Sequence, residues 1–311
     1  MKVFRDLDEL VEINNPVVTI GTFDGVHKGH QMIIDRLSEE AKKIGGESVL
    51  FTFYPHPRMI LFPDSHGVKL IQTQVQKIDK LRRFGLQNVI IHPFTQEFSR
   101  LTATEFVRDF LVNTLHVKKL VIGYDHQFGK NREGGIQFLK DVSELYGFEV
   151  IEIPAQEIDE VNISSTKIRN AIKEGNVDLA NTFLGEPFEI DGIVIYGDKV
   201  GTKMGYPTAN IEVDSEVKLI PGNGVYAVEV MLGEEIHHGI MNIGNRPTIA
   251  AQGDQRLEVH ILDFSGDIYG QNLTVRLLKR IRNEQVFENL DLLKEQIHLD
   301  EEFARNFFTV V

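Results

Sequence analysis

Short apolar runs alternate with amphipathic stretches over the first 184 residues of this chain, and few folds satisfy that alternation. The apolar runs at 17–20, 49–53, 89–91, 120–123 and 149–153 read as strands. Helical spacing of apolar residues covers 31–44, 75–84, 103–115, 136–146, 166–174 and 177–183. Thr102 and Glu105 make a capping box for the third of these. Strands separated by helices of such length predict an α/β domain with a parallel, doubly wound, Rossmann-like sheet. Ligands of such sheets sit at the carboxyl ends of the strands.

The pattern changes at Gly185-Glu186-Pro187. Short strands follow at 194–196, 209–213, 225–232, 238–242, 257–263 and 273–278, each bounded by Gly, Pro, Asn or Asp. Close spacing of short strands predicts a small antiparallel β-barrel. Two helical segments, 290–298 and 300–308, end the chain. The 311 residues suit two domains, placed at 1–184 and 185–311. No internal repeat, low-complexity run or long linker is visible.

Apolar content of 42% and charged content of 25% are those of an ordinary globular protein. There is no apolar run of about eighteen residues and no apolar signal core at Met1-Lys2-Val3-Phe4-Arg5-Asp6, so no membrane association is expected and the cytoplasm is the expected compartment. With no Cys, disulfides, thiolate zinc sites and Cys nucleophiles are excluded together. A net charge of −13 argues against nucleic acid as a partner, because polyanion affinity comes from clustered Lys and Arg. A mononucleotide needs only local donors and a divalent cation, for which Mg²⁺ is usual.

The chemistry-bearing stretch of the first domain is Ile20-Gly21-Thr22-Phe23-Asp24-Gly25-Val26-His27-Lys28-Gly29-His30, a Gly-rich turn between the first predicted strand and a helix expected to begin near Gln31. Amides and the positive dipole end at that helix start favour an anion, and Gly21, Gly25 and Gly29 let backbone come close to it. His27 and His30 are three apart and share a face if the helix has begun, so both could donate to a phosphate chain. The spacing is neither the Gly-x-x-x-x-Gly-Lys-Ser/Thr loop nor Gly-x-Gly-x-x-Gly.

Three further segments lie near strand ends or helix starts. Phe53-Tyr54-Pro55-His56-Pro57 ends a strand in a stiff loop. Residues 123–134 carry both charge types between glycines and read equally as a solvated loop. Ser164-Ser165-Thr166 can cap a helix, whereas Lys167 and Arg169 oppose its dipole unless an anion sits there.

In the second domain, Gly197 to Asn210 holds Gly201, Lys203 and Gly205, whose loop amides and ammonium could wrap a polyphosphate. Thr208 and Asn210 alternate onto one face, a plausible Mg²⁺ and phosphate site, though the segment also reads as a plain hairpin loop. Glu258 shares a strand face with His260 and Leu262, as an inward carboxylate or as a polar residue on a solvated face. His237 and His238 alternate across a strand and cannot easily chelate one ion, with at least one expected at the surface. His27, His30 and His56 lack any established zinc spacing.

His27-Lys28-Gly29-His30 resembles the His-x-Gly-His signature of nucleotidylyltransferases. With Phe53-Tyr54-Pro55-His56-Pro57, the Asp125 to Gly134 loop and Ser164-Ser165-Thr166-Lys167-Ile168-Arg169, the first domain resembles the FMN adenylyltransferase half of bacterial bifunctional flavin synthetases. Pro207-Thr208-Ala209-Asn210, Asn242-Ile243-Gly244-Asn245-Arg246-Pro247-Thr248 and the strand around Glu258 resemble the riboflavin kinase half. The resemblance implies that Gly21, Thr22, Phe23, Asp24 and Gly29 cradle ATP phosphates while His27 and His30 stabilise transfer. It implies phosphate binding by Ser164, Ser165, Thr166 and Arg169, and a flavin border formed by Pro55, His56 and Asp125. It implies Mg²⁺ and ATP at Thr208 and Asn210, with Glu258 as the base for the riboflavin 5′-hydroxyl. Riboflavin, FMN, FAD and ATP are thus the implied substrates and products. Lys167 and Thr202 stand where relatives commonly carry Arg, and Arg to Lys loses the planar fork. Loss of one activity, or a non-catalytic flavin-binding regulator, are the competing readings. Mere binding needs no general base.

Overall fold

The computed structural model describes residues 1–62, 67–124, 126–154, 163–197, 201, 204–245 and 255–310. Contacts divide the chain into two compact units, Met1–Ser165 and Thr166–Val311.

The first unit is built on six parallel strands: β1 (Lys2–Phe4), β2 (Val17–Ile20), β3 (Ser48–Tyr54), β4 (Asn88–Pro93), β5 (Lys119–Gly123) and β6 (Glu149–Ile153). Their spatial order is β1-β4-β3-β2-β5-β6. Edge strand β1 has no counterpart among the predicted strands, because three residues are too few to show a period. Both faces of the central strands are buried, as a parallel sheet covered by helices requires. Val17, Leu50, Val89 and Val121 pack on one side against Ile34, Leu37 and Ala41 of α1 (Lys28–Lys43) and Ile78 and Leu81 of α3 (Gln74–Arg83). Val18, Ile20, Val49 and Phe51 pack on the other against α4 (Ala103–Phe106) and α5 (Ile136–Tyr146). A short helix α2 (Pro57–Leu61) follows β3.

The expected capping box is present, since Thr102 Oγ1 accepts from the Glu105 amide and Glu105 accepts from the Thr102 amide. Beyond Phe106 the helix widens into a π-helix over Val107–Thr114, a difference that periodicity over eight residues does not resolve.

In the second unit β7 (Phe188–Ile195), β8 (Ala209–Val213), β9 (Gly224–Leu232), β10 (Glu235–Asn245), β11 (Gln255–Ile261) and β12 (Asn272–Arg282) close an antiparallel barrel in the order β10-β11-β8-β7-β12-β9. Two helices precede it, α6 (Ser165–Lys173) and α7 (Val177–Leu184). They belong to the barrel by their hydrogen bonds: Gly222 donates to the Ile172 carbonyl at 3.0 Å and Asn181 Nδ2 to that of Leu277 at 2.8 Å.

One continuous helix, α8 (Leu290–Val310), stands where two were expected. The apolar period slips because Asp300 occupies an inward position at 3% exposure while Leu299 points out at 56%. Asp300 is satisfied there by a fork from Arg282, with Nε at 2.9 Å and Nη2 at 2.8 Å, and by Gln296 at 3.0 Å. The helix covers Val225, Ala227, Ile240 and Leu262 on the barrel exterior, with Ala304 in the contact and Phe307 and Phe308 against it.

Candidate functional site

Strand order places the reversal of direction between β2 and β5, where an open α/β sheet forms its crevice. A cavity of ≈1310 Å³ opens there, lined by Thr19, Ile20 and Gly21 at the end of β2 and by Ile122 and Gly123 at the end of β5. The Gly-rich turn forms its wall. Phe23, Gly25 and Val26 take φ of 49°, 91° and 38°, so the turn is a sharp left-handed run.

Every carbonyl from Thr22 to Val26 has a donor. Thr22 accepts from Lys77 Nζ and Thr52 Oγ1, each at 3.2 Å, and Phe23 from the Val26 amide at 3.3 Å. Asp24 accepts from Ser165 Oγ at 2.9 Å, Gly25 from Lys80 Nζ at 3.2 Å and Val26 from Gln31 Nε2 at 2.9 Å. The Asp24 carboxylate is buried and accepts from the amides of Ile71, at 3.1 Å, and Gln72, at 3.3 Å. Gly21 and Gly29 make room for rings of the protein itself, since a Cβ would stand 2.9 Å from the Phe23 ring and 3.3 Å from that of His27 respectively.

Helix α1 begins at Lys28 rather than near Gln31, because His27 itself is the cap: its Nδ1 accepts from the His30 amide at 3.4 Å. That bond makes Nδ1 the acceptor and leaves the proton of the neutral ring on Nε2. The two imidazoles stack at 3.7 Å between centroids, and His30 stacks in turn on Phe23 at 4.3 Å. His30 Nδ1 is buried without a hydrogen-bond partner. Burial first, then the nearby His27, Lys77 and Lys80, hold the His30 pKa well below its usual value. The ring is neutral at pH 7.

The rest of the cavity divides by chemistry. Phe53, Phe94, Phe98 and Phe106 pack edge to face or, for Phe53 on Phe98, tilted, at 5.5–6.0 Å on one side. Exposed Arg58, Arg100, Lys130 and Arg132 line its mouth, and no Asp or Glu is among its described lining residues. Ser164 and Ser165 line it, whereas Thr166 and Arg169 lie on α6 in the second unit. His56 caps α2, accepting from the Arg58 amide at 3.2 Å, and of that loop Pro57 and Arg58, rather than Pro55 and His56, line the cavity. Asp125 lies outside the described residues.

In the barrel, Leu257, Val259 and Ile261 point into the core, so Glu258 and His260 face outward, half-buried. Leu262 leaves their face because β11 has ended, and it is buried under α8. Glu258 pairs directly with Asn210 across β11 and β8, and with Asn242 across β10. Arg256 Nη1 stands 3.8 Å from Glu258 Oε1. Gly201 accepts from the amides of Met204 and Tyr206 and packs against Thr208, and Gly205 turns the loop at φ 90°. Lys199, Thr202 and Lys203, like Arg246 to Thr248, are outside the described residues. His238 is exposed, stacked on Phe308 at 3.9 Å, and His237 meets Glu235 at 3.3 Å. No group of three or more His, Cys, Asp or Glu is arranged to hold a metal among the described residues.

Lys77 and Lys80 did not emerge from the sequence. Both sit on the inner side of α3, exposed 6% and 1%. Their signal is a pair of lysines in phase with Ile78 and Leu81 on an amphipathic helix, where a charge is out of place.

Fold and cavity together define a parallel α/β unit with a basic crevice at its strand ends, followed by a closed antiparallel barrel with its own polar site. Residues 11–167 match the family model for FAD synthetase and 184–308 that for riboflavin kinase. Bifunctional riboflavin kinase/FMN adenylyltransferases from Escherichia coli K12 and Pseudomonas fluorescens are 41% and 39% identical. The alignments cover 99% and 98% of this chain, and 98% and 97% of those proteins. A crystal structure described as a macrolide-efflux protein from Streptococcus pneumoniae superposes with a TM-score of 0.88 at 33% identity, over 98% of each chain. Among the described residues, no helix is long and apolar enough to cross a membrane. The chain belongs to the bifunctional riboflavin kinase/FMN adenylyltransferase family.

Proposed function

We propose that the barrel unit phosphorylates riboflavin with ATP to give FMN and ADP, and that the α/β cavity transfers AMP from a second ATP to FMN, giving FAD and pyrophosphate. The observation that carries the second step is a large cavity at the sheet's reversal point, rimmed by four cations, without a carboxylate among its described lining residues, in a chain of net charge −13. Both substrates of that step are polyanions joined to planar rings. Phenylalanines on one wall suit the rings, and the basic mouth suits the phosphates.

In this reading Gly21, Thr22, Phe23 and Gly29 border the triphosphate, with Asp24 tying the turn to the segment at 71–72. The neutral imidazoles of His27, through Nε2, and of His30 donate to charge developing on the leaving pyrophosphate. Ser164, Ser165, Thr166 and Arg169 are assigned to phosphate, and Pro55, His56 and Asp125 to the flavin border. In the barrel, Gly201, Lys203 and Gly205 would follow the ATP phosphates. Thr208 and Asn210 offer hydroxyl and amide oxygens, which suit Mg²⁺, an ion that retains waters and takes few protein ligands. Bound there, Mg²⁺ would neutralise phosphate charge. Glu258, beside Asn210 on the pleat, takes the proton of the riboflavin 5′-hydroxyl, and positioning supplies much of the rest. Small molecules are the proposed partners, without nucleic acid. The proposed compartment is the cytoplasm.

The test is incubation of the chain with riboflavin, ATP and Mg²⁺, with flavins separated by chromatography over time. FMN should rise and pass into FAD. Glu258→Gln should slow FMN formation by about 10²-fold or more, whereas His30→Ala should stop FAD formation from supplied FMN and leave FMN formation intact. A Glu258→Gln rate within a few-fold of the parent, or loss of both steps in His30→Ala, would overturn the assignment.

A further inference from the structure

Two ammonium groups lie beneath the Gly-rich turn, and the hydrogen-bond acceptors of one of them, Lys77, do not neutralise it. Lys77 Nζ donates to the Thr22 carbonyl and to Thr52 Oγ1, both at 3.2 Å and both uncharged. Lys80 Nζ donates to the Gly25 carbonyl. A buried ammonium is costly unless a negative charge answers it. Asp24 is the carboxylate near Lys77, and its oxygens already serve the amides of Ile71 and Gln72. A carbonyl fixed toward α3 also turns the following N–H away from α3, because a trans peptide sets the two on opposite sides.

We propose that Lys77, with Lys80 beside it, is a positioning residue of adenylyl transfer: it holds the carbonyl side of the turn to the rear, presents the turn to the ATP triphosphate and, while protonated, sets a positive charge behind it. The proposal rests on the adenylyltransferase reading of this cavity. It supplies a fixed positive charge that the neutral His30 does not.

Burial depresses the Lys77 pKa to about 8, against the raising effect of Asp24. Among the described residues, His30 from α1 also faces it, Lys80 follows it one turn along α3, and β3 contributes the uncharged Thr52. Charge on Lys77 is therefore lost as pH rises through about 8, within the range where the enzyme can be assayed. Because kcat/KM reports the free enzyme, its alkaline limb carries this titration.

The experiment measures kcat/KM for ATP in FAD formation from supplied FMN, from pH 7 to 9.5, for the full chain and for Lys77→Arg and Lys77→Met. Thermal unfolding and riboflavin phosphorylation followed in parallel report folding. The parent should fall about tenfold per pH unit above pH 8, as loss of a single proton requires. Lys77→Arg should stay flat to pH 9.5, since a guanidinium does not titrate there. Lys77→Met should be about 10²-fold slower at pH 7 and also flat. An unchanged alkaline limb in either folded variant, or a Lys77→Met rate within twofold of the parent at pH 7, overturns the proposal while leaving adenylyl transfer standing. Absence of FAD formation from FMN in the parent overturns both.

Discussion

At His30 the burial that keeps the ring neutral for its proposed part in transfer also lowers stability in acid. Its folded pKa lies well below the 6.5 of a free histidine, chiefly through burial. As pH falls through 6.5 the unfolded chain takes up a proton that the folded chain refuses, so stability drops with acid. Urea unfolding of the parent and of His30→Gln between pH 7 and 5 measures this directly. The parent should lose more stability than the variant, and parallel curves would show that His30 titrates normally. Lys77 has a related linkage at alkaline pH: its buried charge disfavours the fold below about pH 8, and that penalty is relieved between about 8 and 10.5. Alkali thus favours the fold at Lys77 and disfavours the turnover proposed for it. The histidines were legible in the sequence because Gly and His in a strand-to-helix turn form a local pattern. Lys77 and Lys80 were not, because a lysine on a helix reads as its solvated face until tertiary packing brings that face against a turn some 50 residues away.

Elements were read well where one local rule governed them and less well where two competed. Strands β2 to β6 follow apolar runs, and the Thr102–Glu105 box starts α4 as its spacing dictates. Helix α8 was divided in expectation because Asp300 stands at an apolar phase position, a substitution that only its partner on β12 explains. The pair makes α8 sensitive at one point. Asp300→Ala should leave the Arg282 guanidinium, 16% exposed, without its carboxylate and cost about 3–5 kcal/mol. Replacement of both residues by apolar ones of similar volume should cost much less, because no buried charge is then stranded. Chemical denaturation of the single and double variants distinguishes this from simple loss of helix packing, for which the double variant would be at least as unstable as the single.

At the scale of the whole molecule, the change from alternating strands and helices to closely spaced strands already separated two kinds of domain near residue 185. Compactness divides the chain earlier, after Ser165, and the helices α6 and α7 account for the difference. Their local pattern continues that of the α/β half, yet Ile168, Ile172, Val177 and Leu184 are buried and the bonds at Ile172 and Asn181 are made to barrel residues. Asn181 Oδ1 also accepts from the amide of Phe188, the first residue of the barrel, at 2.8 Å. A fragment of residues 164–311 should therefore unfold cooperatively and phosphorylate riboflavin. A fragment of residues 185–311 loses these four buried side chains together with Ala171 and Ala180, a deficit on the order of several kcal/mol. Its midpoint should fall by about 10 °C or more. Calorimetry of the two fragments, with riboflavin phosphorylation as the check on the fold, decides the matter: equal midpoints and equal rates would mean that α6 and α7 lie on the barrel without supporting it, and a kinase core beginning at 185 would then suffice.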